Sequence, residues 1–199
     1  MAEEKYPGHL ILLMAPSGSG KAVLVESLGL YKDQLHFIKT FTSRPQREGT
    51  TENPNYNFIS REEFKSMIED GGFIEWAEFS GNYYGTPRSE VLGPLQSGEA
   101  AFKEMELQGV EQMRTLVPKE NLTVVYIEAG GWEMLRKRIL ARSSMTETEL
   151  EMRQDRYEEE SKSKNKADVV IENRDGQLEE AKTRFRNLVS EILDKVKKQ

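Results

Sequence analysis

The chain has 199 residues, 37% of them hydrophobic and 31% charged, with a net charge of −6 and no cysteine. This length supports one sizeable core or one core with inserted subdomains, and the missing cysteine excludes disulfides, thiolate zinc sites and a cysteine nucleophile together. The acidic balance argues against a nucleic-acid partner, which calls for a basic footprint, and no apolar run reaches the roughly 20 residues of a membrane-spanning helix.

The first residues, Met1-Ala2-Glu3-Glu4-Lys5, lack the basic-then-apolar layout of a secretory signal, so the cytoplasm is the expected compartment. His9 to Met14 is a short, continuous apolar run and reads as a buried parallel strand. A glycine-rich turn follows, Ala15-Pro16-Ser17-Gly18-Ser19-Gly20-Lys21, and then Ala22 to Leu28 with helical apolar spacing. Strand, glycine loop and helix form the setting of a phosphate-binding loop: backbone N–H groups point inward at a phosphate, and the lysine supplies a point charge. Two positions depart from the full pattern. Ala15 stands where the first glycine is usual, and Ala22 stands where a hydroxyl would ligate the Mg²⁺ that bridges the donor phosphates. Val23 offers no substitute oxygen.

Residues 36–90 are rich in Thr, Ser, Asn, Gly and aromatics, with turn signals at Asn53-Pro54-Asn55 and Gly71-Gly72, and read as an inserted, partly β subdomain. Thr123 to Glu128 is a further buried-strand candidate. Residues 129–167 are strongly charged with sparse apolar positions, which predicts a helical flap. Asp168 to Glu172 gives another strand. Leu178, Ala181, Phe185, Leu188, Val189, Ile192 and Leu193 then line one face of a closing amphipathic helix. Alternating strands and helices imply an α/β fold whose mostly parallel sheet is covered on both faces, built from residues 1–35, 91–128 and 168–199. His9 and His36 are the only imidazoles, and two isolated histidines do not make a metal site.

Three stretches go beyond a generic phosphate loop. They are Thr40 to Arg47 continuing to Tyr56-Asn57-Phe58, then Glu63 to Ile68 with Phe73 to Ala77 and Ser80 to Thr86, and then Leu135 to Arg138 with Arg142, Arg153 and Asp168 to Asn173. In these stretches, over essentially its whole length, the sequence resembles the guanylate kinase family. The resemblance implies a P-loop core (the three segments above), a GMP-binding insert over 36–90 and a lid over 129–167. It implies ATP and GMP as ligands and Mg²⁺ accompanying the ATP. Position by position, Arg44, Arg47, Tyr56 and Tyr84 would hold the GMP phosphate, while Thr40, Glu75 and Thr86 would contact guanine, with Glu104 on the same substrate. Pro16, Ser17, Gly18, Ser19, Gly20, Lys21 and Ala22 would form the ATP loop, with Asn173 near the donor nucleoside. Lys21, Arg44, Arg138, Arg142 and Arg153 would stabilise the transferring phosphoryl group.

These residue types suit that chemistry. Guanine presents N1–H and its exocyclic amine side by side, a donor pair matched to one carboxylate such as Glu75; adenine offers an acceptor at N1 and no 2-amine. Two arginines three residues apart give paired forks for a phosphate. Taken singly, Tyr56, Tyr84 and Trp76 read equally as core or surface aromatics. Arg138, Arg142 and Arg153 alone read as a solvated helix face beside Glu147, Glu149 and Glu151. Where the family usually carries Asp-x-Asp before Gln108-Gly109, this chain has Glu104-Met105-Glu106, which moves each carboxylate by more than about an ångström relative to Lys21 or a metal. Phe41 occupies a position where a smaller or polar residue is common. Two functions follow as expectations: ATP-dependent phosphorylation of GMP, or a non-catalytic module of similar fold that binds GMP or a phosphoprotein.

Overall fold

A computed structural model describes residues 6–46, 56–141 and 144–198. Its core is a five-stranded sheet of β1 (His9–Met14), β2 (Leu35–Phe37), β7 (Ala100–Glu104), β8 (Leu122–Glu128) and β9 (Val169–Glu172) in the order β2-β7-β1-β8-β9. Every pairing in it is parallel. The central position of β1 explains why all six of its residues are apolar or uncharged and buried. The period of two divides them: Ile11 and Leu13 join α1 (Lys21–Glu26) and α7 (Leu178–Val196) on one face. Leu10, Leu12 and Met14 join α3 (Arg88–Gln96) and α4 (Leu107–Leu116) on the other. In α7 the expected stripe is the buried one, with Ala181, Phe185, Val189, Ile192 and Leu193 inside.

A second, four-stranded sheet has the order β4-β3-β6-β5, formed by β3 (Thr40–Thr42), β4 (Tyr56–Phe58), β5 (Phe73–Phe79) and β6 (Asn82–Pro87). Only β3 and β4 run parallel in it. Helix α2 (Arg61–Glu69), opened by a Ser60/Glu63 capping box, covers one face. There Phe64 stacks on Phe73 at 4.3 Å and on Tyr83 at 5.4 Å between ring centroids. Gly85 makes room for this stack, since a Cβ on it would come within 2.8 Å of the Phe73 ring. Phe41 packs on the same cluster, which accounts for its size: the alternation of β3 turns it toward α2 and turns Thr40 and Thr42 the other way.

Helices α5 (Trp132–Leu140) and α6 (Glu147–Lys162) fill the charged segment. In α6 only Leu150 is buried, and a Thr146/Glu149 capping box sets its start. A helix with so little apolar anchorage opens at low free-energy cost. No helix among the described residues is long and apolar enough to cross a membrane. Arg47, Arg142 and the Asn53-Pro54-Asn55 turn lie outside the described residues.

Candidate functional site

A parallel sheet brings the C-terminal ends of its strands to one edge, and ligands of such sheets gather there. The glycine loop leaves β1 at that edge, with Leu13 in register with Glu104 of β7. A cleft of about 1100 Å³ opens above it, lined by residues 14–23 together with Glu104, Arg138, Arg156 and Asn173. Gly18 and Gly20 have φ of 84° and 85°, the left-handed region that side chains avoid. Ala15 turns its methyl into the core below. Asn173 is buried, and its Nδ2 donates to the Ser19 carbonyl at 2.7 Å, so this residue braces the loop from beneath. A Cβ on Gly20 would stand 2.5 Å from that same nitrogen. The Lys21 ammonium lies 3.1 Å from Glu104, with both side chains about one-third exposed. An ion pair so open to water is worth on the order of 1 kcal/mol or less, so a phosphate can take its place readily.

Three arginines of the charged segment, Arg138, Arg153 and Arg156, reach this cleft or its loop. Arg153 on α6 donates to Ser17 Oγ at 2.9 Å. Arg138 on α5 lines the cleft and is held by Asp175 and by the Asn173 carbonyl at 2.9 Å. Arg156 also lines it, bound to Glu106 across the gap and to Glu160 one turn along. Sequence reasoning missed Arg156; the signal was its spacing of three from Arg153 on one helix face. Glu104 and Glu106 thus take different partners, Lys21 for the first and Arg156 for the second.

On the other side of β7 the four-stranded sheet presents its polar face. Glu75 lies opposite Thr86 in the β5–β6 ladder. The buried Thr86 hydroxyl donates to Glu75 Oε1 in a short hydrogen bond. Thr40 accepts a hydrogen bond from Lys103 Nζ at 2.9 Å. Arg44, Tyr56 and Tyr84 meet at the far end of this face: the Tyr56 and Tyr84 rings are edge to face at 6.3 Å, and the Arg44 guanidinium sits 5.9 Å from the Tyr56 ring centre. No carboxylate among the described residues pairs with Arg44, which leaves its guanidinium available to an anion. Lys103 is the second residue that sequence reasoning missed. A charge directly after the apolar run Ala100 to Phe102, within the strand, was its only signal. Burial pushes its ammonium down to about 8, against the opposing fields of Glu75, Glu90 and Glu104.

The whole arrangement has known counterparts. Residues 7–192 match the family model described as "Guanylate kinase". The chain is 40% identical over 173 residues to a guanylate kinase of a Nostoc species, covering 87% of this chain and 86% of that protein. A guanylate kinase of Halalkalibacterium halodurans is 35% identical, with 88% and 85% covered. The crystal structure of guanylate kinase from Anaplasma phagocytophilum superposes with a TM-score of 0.64 at 25% identity, covering 94% of this chain and 86% of that one.

Proposed function

The chain belongs to the guanylate kinase family and is an ATP-dependent kinase of GMP, and we propose that its two polar sites hold the two nucleotides on either side of β7. The observation that carries this reading is the alternation at the end of that strand. Glu104 reaches Lys21 in the phosphate-loop cleft, while Lys103 reaches Thr40 in the acceptor sheet. The two sites therefore meet at one strand end, on neighbouring residues of β7.

In this reading the loop N–H groups of residues 16–22 and the Lys21 ammonium hold the ATP phosphates. Arg44, with Arg47, Tyr56 and Tyr84, holds the GMP phosphate. Glu75 faces the guanine N1–H and 2-amine with the lone pairs that Thr86 leaves free, and Thr40 reads the 6-position. A GMP phosphate oxygen attacks the γ-phosphorus, the bond to the β-phosphate oxygen breaks, and ADP and GDP leave, with no covalent protein intermediate. Arg138, Arg142 and Arg153 draw charge off the phosphoryl group in flight, with α6 closing as a lid over the cleft and excluding water. Arg156 joins them once a nucleotide competes for its bond to Glu106.

The donor set fits Mg²⁺ delivered on ATP. Such a cation keeps several waters and needs only one or two carboxylates besides the phosphates, and Glu104 and Glu106 both line the cleft. Ala22 supplies no ligand. When bound, the ion neutralises charge on the β- and γ-phosphates. The non-catalytic alternative finds no support, because the relatives above are named as kinases and Lys21, Arg138 and Arg153 all converge on the cleft. The test is a coupled assay of ADP release with GMP, AMP, UMP and CMP as acceptors. GMP-dependent turnover is expected, and GMP binding without turnover would contradict it.

A further inference from the structure

Among the described residues, Lys103 is the only buried Lys, Arg, Asp or Glu, at 5% exposure. It lies in β7 opposite Leu12 of β1, between Phe102 and Glu104, and no carboxylate among the described residues forms an ion pair with it. Its polar contact is the Thr40 hydroxyl at 2.9 Å. A buried ammonium with one neutral partner is an expensive way to fill space, and an apolar side chain of similar length would pack there more favourably. The position therefore calls for an account outside packing.

Hydrogen-bond polarity provides one. An ammonium has only donors, and a threonine hydroxyl has one hydrogen and two lone pairs. Thr40 Oγ1 must therefore accept from Lys103, and its own hydrogen must point elsewhere. No described protein group accepts that hydrogen. We infer that Lys103 is a positioning residue for base selection: by occupying one of the two Thr40 lone pairs it biases that hydroxyl toward donating to the acceptor base, which favours a 6-oxo purine over a 6-amino purine. This rests on the reading of Thr40 and Glu75 as the base site. A 6-oxo group accepts the Thr40 hydrogen, whereas a 6-amino group has only the one lone pair that Lys103 leaves. The same logic runs in reverse at Glu75. There Thr86 donates to one carboxylate oxygen, and the remaining lone pairs demand donors at N1 and C2. The pocket then reads one acceptor and two donors in order, which is the edge of guanine.

Calorimetric binding of GMP, IMP and AMP to the wild type, Lys103→Met, Thr40→Val and the double variant at pH 7 tests this. Lys103→Met should weaken GMP and IMP by the same factor, roughly tenfold, because the weakened contact is the one to the 6-oxo group they share, and AMP should bind no more weakly than to the wild type. The double variant should bind GMP no more weakly than Thr40→Val alone, because Lys103 acts through that hydroxyl. Lys103→Arg, which keeps a donor at this position, should recover part of the GMP affinity that Lys103→Met loses; in the wild type, which needs no variant to fold, IMP should bind at least about tenfold more tightly than AMP. Additive losses in the double variant, or unchanged GMP affinity in Lys103→Met, would overturn the inference. A wild type that binds GMP no better than AMP would instead overturn the base-site assignment beneath it.

Discussion

Replacing Glu75 with Gln probes the proposed base site at its most charged point. In the structure Glu75 Oε1 accepts from the buried Thr86 hydroxyl, and the β5–β6 ladder holds the two residues opposite each other. A glutamine keeps that bond through its amide oxygen and leaves the strand pairing intact. Its NH₂ then turns toward the two donors of guanine, where a carboxylate oxygen stood. A hydrogen bond to a charged group contributes about 1.5–3 kcal/mol, so GMP affinity should fall roughly ten- to a hundredfold. ATP affinity should not move, because Glu75 lies on the far side of β7 from the phosphate-loop cleft. Titration calorimetry with each nucleotide separately, backed by a thermal melt, gives the comparison. Unchanged GMP affinity would remove Glu75 from the base site. An equal loss for ATP and GMP would mean that the substitution damages the fold and that the reasoning fails.

Gly20→Ala places a Cβ against Asn173 at a φ of 85°, so it should lower stability by about 1–3 kcal/mol and weaken ATP at least about tenfold while sparing GMP; nucleotide titrations and denaturant melts read both effects. His9 is pushed down to about 4, chiefly by burial, so the unfolded state binds the extra proton between pH 6.5 and 4. Stability should be complete above about 6.5 and fall by about 3 kcal/mol as pH drops toward 4, a slope that His9→Gln should flatten in urea melts. Lys103→Met should raise stability at pH 7 by about 1–3 kcal/mol, because the folded state holds that lysine near 8 and the unfolded chain near 10.5. The gain should shrink as the wild type recovers between pH 8 and 10.5, and a melting temperature below wild type at pH 7 would refute it.

Local patterns carried much of the architecture. The apolar run of β1, the glycine loop and the stripe of α7 each announce themselves, because a buried parallel strand and an amphipathic helix have distinct periods. Thr40, Glu75, Tyr84 and Thr86 were named through the family resemblance, and the four-stranded sheet carries all four. What stayed hidden depends on register between distant segments. The Lys21–Glu104 pair exists because β7 lies beside β1 with Leu13 opposite Glu104, and no local pattern encodes that. Phe41 was unexplained until α2 was seen covering its face. Lys103 reads in sequence as an interruption of a strand, and only the fold reveals that its tip meets Thr40. Asn173, expected beside the donor nucleoside, is found bracing the loop through Ser19.

The central claim is that the Lys21 loop delivers a phosphoryl group to GMP held across β7. Transfer of label from γ-labelled ATP to GMP, followed for the wild type and for Lys21→Met with GMP binding measured in parallel, tests it most directly. The account predicts labelled GDP from the wild type, a loss of at least about a hundredfold in Lys21→Met, and GMP affinity within about twofold of wild type in that variant. Labelled GDP formed as fast by Lys21→Met, or no labelled GDP from a wild type that binds both nucleotides, would contradict it.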